Sequence, residues 1–225
     1  MRLLVLIFGL FYSIVLSAQN ETKIIECSGT ISDKYPIKMV LKIEKEKTIG
    51  YYYYEKYKTK ILLSGDIQGT RIILNESPDL DQNFTHGFIG TINKNIISGI
   101  WKDVYKRKSF EFKVVVDKEK VSVPNDEAIE GMYENETGSI SLKHITDKYF
   151  LFVICTGTEN CTGFLEGLIE FPDLKSGYYS DNVCKELKIN VGSGFLEVKE
   201  KDCNYHGMSC WFSGKYKKIE KKSSS

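Results

Sequence analysis

The chain lacks charge of one sign. Its 225 residues carry 31 Lys or Arg against 30 Asp or Glu, a formal net charge of +1. A general nucleic-acid binder needs a basic excess to neutralise phosphates, so that class is excluded as the reading of the whole chain. Histidine is scarce, with His86, His144 and His206 only. The stretch Cys203-Asn-Tyr-His206-Gly-Met-Ser-Cys210 brings Cys and His together, but structural zinc takes four ligands at set spacings, so His206 reads as a loop residue and no metal is expected.

Catalytic signatures are missing as well. Val191-Gly-Ser-Gly194 has a serine between glycines without the Gly-x-Ser-x-Gly elbow. There is no His-Glu-x-x-His, no Gly-Lys-Ser phosphate loop and no Cys-x-x-Cys, which leaves zinc hydrolysis, nucleotide binding and simple thiol exchange without their usual residues. No catalytic residue and no cofactor is assigned. Two carboxylates can cleave a glycosidic bond wherever they meet at the right separation, but 30 acidic residues offer too many pairs to choose from.

Long apolar runs are confined to the start. Arg2 is followed by an almost unbroken apolar stretch, Leu3 to Leu16, and then by Ser17-Ala18-Gln19. A positive start, an apolar core and a small-residue site read as a secretory signal over residues 1–18, cleaved after Ala18. The run is about 14 residues, short of the roughly 20 that a spanning helix needs. The mature chain is therefore expected to be periplasmic or secreted, with no membrane span.

Export changes the meaning of the cysteines, because disulfides persist outside the reducing cytoplasm. Cys27, Cys155, Cys161, Cys184, Cys203 and Cys210 all follow the signal, and six cysteines allow 15 pairings. The local expectations are Cys203 with Cys210, closing a short loop, and Cys161 with Cys184, tying two strands. Cys27 stands apart: it either bridges the halves or is free and leaves a second odd thiol.

What remains is abundant β signal. Runs rich in Ile, Val, Tyr and Phe, punctuated by glycine and polar turns, recur every 8 to 12 residues, and nowhere do apolar residues keep helical spacing for three turns. The fold class is all-β, in two small antiparallel domains. Residues 22–117 hold about eight runs and suit a meander barrel, whose closure removes exposed edges. Such a barrel either fills with side chains or holds one small ligand. Residues 118–130, rich in charge and containing Pro124, form the linker. Residues 131–217 give a second, disulfide-bonded barrel or sandwich, and 218–225 a basic tail. The first half carries 16 basic against 12 acidic residues and the second (127–217) 9 against 14, an asymmetry that could favour docking or be ordinary scatter.

Aromatic residues supply the site candidates. In Gly50-Tyr51-Tyr52-Tyr53-Tyr54, strand alternation puts Tyr51 and Tyr53 on one face and Tyr52 and Tyr54 on the other. One pair packs inward, and the other meets solvent, the second domain or a ligand. In Gly99-Ile100-Trp101 the glycine allows a close approach while the indole plugs a barrel end, and Trp211 is expected to do the same in the second half. Tyr52, Tyr54 and Trp101 are the ligand-face candidates.

Residues 37–112, from Pro36-Ile37-Lys38-Met39 through the tyrosine run to Ile97-Ser-Gly-Ile-Trp101 and Phe110-Glu-Phe112, resemble a module of uncharacterised exported bacterial proteins. Residues 131–217, with Cys161-Thr-Gly-Phe-Leu-Glu-Gly167 and Cys203 to Tyr216, resemble a second module in exported proteins sometimes grouped with lysozyme inhibitors. The resemblance implies β-rich exported modules and no defined activity. It also implies that the five Asn-x-Ser/Thr sequences, at Asn20, Asn75, Asn83, Asn135 and Asn160, are unmodified turns. The functional expectation is an exported, non-catalytic binding or interaction protein of the bacterial envelope, with a protein or glycan as partner. Two alternatives stand beside it: an inhibitor of a lysozyme-type cell-wall hydrolase, and a carboxylate-dependent glycosidase.

Overall fold

The computed structural model describes residues 22–76, 84–121, 129–146 and 148–219. The expected signal, the middle of the linker and most of the basic tail lie outside them. The described residues form sixteen strands and no α-helix. The first eight are β1 (Thr22–Ile31), β2 (Tyr35–Glu44), β3 (Lys47–Tyr54), β4 (Ile61–Gln68), β5 (Arg71–Asn75), β6 (His86–Asn93), β7 (Ile96–Asp103) and β8 (Lys108–Val121). The second eight are β9 (Gly131–Glu134), β10 (Gly138–Thr146), β11 (Tyr149–Thr158), β12 (Cys161–Glu170), β13 (Ser176–Tyr179), β14 (Cys184–Gly192), β15 (Phe195–Cys203) and β16 (Gly214–Lys218).

Each set closes on itself as an antiparallel meander barrel, β8 pairing with β1 and β16 with β9. The second domain is thus a barrel rather than a sandwich. The strand β8 continues through Val121 and pairs there with Lys23. Two-residue alternation drives the inward faces: Ile37, Met39 and Leu41 on β2, and Phe150, Phe152 and Ile154 on β11, are all buried. Both interiors are filled by side chains, with Tyr52, Phe88 and Phe112 among the rings in the first and Phe152, Phe171, Phe212 and Tyr216 in the second. The first barrel is therefore a packed core and any ligand must sit at its ends.

Gly99 shows why the first barrel closes tightly. It pairs with Gly90 across β6 and β7, and a Cβ on Gly99 would fall 2.2 Å from the Ile89 carbonyl oxygen. Only a glycine fits so close an approach of two backbones.

The disulfides correct the local pairing expected from spacing. Cys184 bonds to Cys203, its direct partner across β14 and β15, and Cys161 bonds to Cys210. The second link forms because residues 204–213 fold back along β12, where His206 bridges to Gly163. Cys203 and Cys210 consequently end on different sides of that loop. Cys27 and Cys155 are free, so Cys27 does not tie the halves together.

Apolar packing joins the barrels. Ile49 and Tyr51 of the first cluster with Ile145 and Leu151 of the second, and the Tyr51 and Tyr149 rings meet edge to face 5.3 Å apart. The outer tyrosine pair thus faces the second domain. Buried Lys42 lies 3.0 Å from Glu44 and 3.7 Å from Glu130, while Lys143 reaches Glu44 at 3.5 Å. Charges of both signs come from both sides of this contact.

Candidate ligand site at the mouth of the first barrel

One end of the first barrel gathers the turns after β1, β3 and β7. Tight left-handed turn residues, Ser32, Asp33, Lys58 and Arg107, bend them back, and a cavity of about 450 Å³ opens among them. That is within the range of small-ligand sites. Its walls are the rings of Tyr35, Tyr54, Tyr57, Trp101 and Phe110 together with Ile31. Trp101 stacks on Phe110 with centroids 6.0 Å apart, and Tyr35 meets Tyr54 edge-on at 6.4 Å. Among the described residues, Lys34, Lys56, Lys106 and Lys108 stand around the rim with the carboxylate of Asp103.

The three residues singled out from the sequence meet beneath this opening on a fourth that was not. One carboxylate oxygen of Glu76, Oε1, accepts from the Tyr52 hydroxyl and from Trp101 Nε1, both at 2.6 Å. The other lies 3.7 Å from His86 Nε2. The Tyr52 and Tyr54 rings meet edge to face 5.7 Å apart, and their hydroxyls interact. Burial pushes the Tyr52 hydroxyl far above the ordinary phenol range, and the negative charge of Glu76 adds to that; burial also raises Tyr54. Both stay protonated donors at any physiological pH.

Tyr52 itself is 1% exposed and belongs to the core, so it forms the floor rather than a ligand-facing surface, whereas Tyr54 and Trp101 line the cavity. No sequence motif flags Glu76, since its partners lie 24 and 25 residues away and only barrel closure assembles them. At the rim, the Lys106 backbone N–H donates to Asp103 at 2.9 Å and its ammonium lies 3.6 Å away. The backbone bond leads in holding the Asp103 carboxyl below the usual range.

A larger cleft, about 700 Å³, lies between the barrels and contains two carboxylates, Glu26 and Asp117. Glu26 is engaged by Lys118 at 3.8 Å and Lys120 at 3.4 Å. The tyrosines there are also engaged: the Lys60 ammonium sits 4.4 Å from the Tyr149 centroid and within 5.8 Å of those of Tyr51 and Tyr53. The mouth is the better candidate because its rings converge on open space.

In the second barrel the expectation for Trp211 is reversed. Phe212 fills the core at 0% exposure and Trp211, the next residue along an extended segment, points outward at 58%. His206 sits in the loop as expected, 3.0 Å from Glu200 and packed between the Trp211 and Phe212 rings. No group of three or more His, Cys, Asp or Glu able to hold a metal occurs among the described residues, nor does a helix long and apolar enough to cross a membrane. Two disulfides fit an oxidising compartment.

Compared with known proteins, the chain matches no family model, no curated protein and no solved structure.

Proposed function

We propose that this chain is an exported, non-catalytic binding protein of the bacterial envelope, and that it holds its ligand in the mouth of the first barrel. The observation that carries the reading is the cavity of about 450 Å³ walled by five aromatic rings above a packed floor. Concave, mostly apolar sites with a few polar groups at the edge are the usual form of small-ligand sites. The test uses Trp101 as reporter, with Trp211→Phe removing the other tryptophan. Fractions of a bacterial envelope extract should shift Trp101 emission saturably; no shift with any fraction would count against the reading.

A second reading, inhibition of a lysozyme-type cell-wall hydrolase, draws support from the loop at residues 204–213. Met208 is 96% exposed and Trp211 58%, on a segment fixed by the Cys161–Cys210 disulfide and by the bonds of Phe212 and Ser213 to Glu200. A rigid loop with a projecting tryptophan is the form that binding hot spots take. Dose-dependent loss of lysozyme activity, abolished by Trp211→Ala with Met208→Ala, is the expected result for that reading; unchanged activity would end it.

A further inference from the structure

We infer that the ligand of the first barrel's mouth is an anionic amphiphile, a molecule with an apolar or planar body and one carboxylate, sulfonate or phosphate head. This rests on the mouth being the binding site and adds the class of molecule that it takes.

The inference follows from where the polar hydrogens go. Ring residues at a binding site ordinarily offer a carbon surface plus a donor, the indole N–H or the phenol O–H. Here Trp101 Nε1 and Tyr52 point down and spend their donors on Glu76, and the Tyr54 hydroxyl is engaged with that of Tyr52. The inner wall therefore presents mainly ring faces and edges to an occupant, joined by Phe110 and Ile31, while the Tyr35 and Tyr57 hydroxyls belong to more exposed rings. A sugar, which needs several hydrogen bonds to its hydroxyls, would give up its bonds to water on entering and find mainly the Tyr35 and Tyr57 hydroxyls in return. An apolar body loses nothing by entering.

The rim has the opposite character. Four ammonium groups, Lys34, Lys56, Lys106 and Lys108, surround the opening, and all four are exposed. Among the described residues the carboxylate lining the opening, Asp103, is taken up by the backbone and side chain of Lys106. The charges that line the opening among the described residues sum to positive, which attracts an anionic head and repels a cationic one. Lysine stems can also cover the apolar body while their ends stay in water. Carbon below and positive charge above define an amphiphile entering tail first.

Three probes of equal chain length and different head separate this inference from the reading beneath it: decanoate, 1-decanol and decyltrimethylammonium, each kept below its self-association threshold. Binding is read from Trp101 emission in the Trp211→Phe protein and from calorimetry. Decanoate should bind roughly 10-fold tighter than decanol, with the cation weakest, and the gap should close as salt approaches 1 M, where the screening length falls to about 3 Å. Lys34→Gln with Lys108→Gln, both at exposed positions, should weaken decanoate about 5-fold and leave decanol unchanged. Equal binding of decanoate and decanol would overturn the anionic class while keeping the mouth as a site. Preference for the cation would overturn it too. No response of Trp101 to any probe would overturn both. Because the same head-and-tail chemistry occurs in membrane lipids, anionic phosphatidylglycerol vesicles form a further arm. Their cosedimentation with the protein, lost in the lysine double variant, would place the source in a bilayer; binding of dispersed decanoate alone would place it among free acids. Either result supports the inference.

Discussion

Replacing Glu76 tests whether a buried carboxylate holds the top of the first barrel together. In Glu76→Ala the Tyr52 hydroxyl and the Trp101 indole lose their acceptor at 2.6 Å. Hydrogen bonds to a charged group contribute about 1.5–3 kcal/mol each, so the gross loss is about 3–6 kcal/mol. One effect reduces it. Removing a carboxylate whose side chain is only 9% exposed removes its desolvation cost. The net expectation is a destabilisation of about 2–4 kcal/mol. Glu76→Gln keeps an oxygen at the same place but gives up the charge, which makes such bonds about twice as strong, and should cost about 1–2 kcal/mol. Urea unfolding followed by Trp101 emission in the Trp211→Phe background reads the first barrel directly. A Glu76→Ala variant within about 0.5 kcal/mol of its parent, the range of an ordinary surface change, would refute the reasoning. A Glu76→Gln variant as unstable as Glu76→Ala would show that charge, not acceptance of hydrogen bonds, is what matters.

Three further outcomes are expected. Replacing Cys161 and Cys210 by serine should cost about 4 kcal/mol and the same change at Cys184 and Cys203 about 3 kcal/mol, from loops of 49 and 19 residues in the chain-entropy model; calorimetry should show the loss in the second barrel, and an equal loss in the disulfide-free first barrel would contradict the assignment. Of the two free thiols, burial, reinforced by Asp117 and Glu26, pushes Cys27 up to about 12, so iodoacetamide should label half-buried Cys155 first and Cys27 only on unfolding; early labelling of Cys27 would contradict its place in the core. Desolvation raises the Asp181 carboxyl, but bonds from Tyr205, Tyr179 and the Cys184 and Val183 backbones outweigh this and hold it below 3.8. The sign follows: its contribution is complete above pH 3.8 and disappears as pH falls through the lower folded value, so Asp181→Asn should flatten the acid limb of the stability curve, and an unchanged limb would count against this.

Much of the fold was legible because barrels obey a period of two. Ile37, Met39 and Leu41, or Tyr51 against Tyr52, sort to opposite faces whatever their partners, and short polar turns leave a meander as the simplest closure. The disulfide pairing was not legible, because it depends on register and on a loop that doubles back. Cys184 faces Cys203 only once β14 and β15 are aligned, and Cys210 reaches Cys161 only when residues 204–213 lie along β12. Trp211 was misplaced for a related reason: two adjacent large residues compete for one inward position, and the barrel gives it to Phe212. At the site, Tyr54 and Trp101 carried an aromatic signal. Glu76 carried none, since a single acid after a strand gains meaning only from what the closed barrel sets above it.

The most direct measurement of the central claim is native mass spectrometry of the disulfide-intact chain, residues 19–225, after exposure to an envelope extract. It should be run beside a variant with Tyr57→Ala and Phe110→Ala, exposed rings that line the mouth without serving the Glu76 network. The account predicts a one-to-one small-molecule adduct on the parent protein that is absent from the variant. An adduct retained equally by both would place the ligand elsewhere, and an unliganded parent would contradict the claim that the mouth is a binding site.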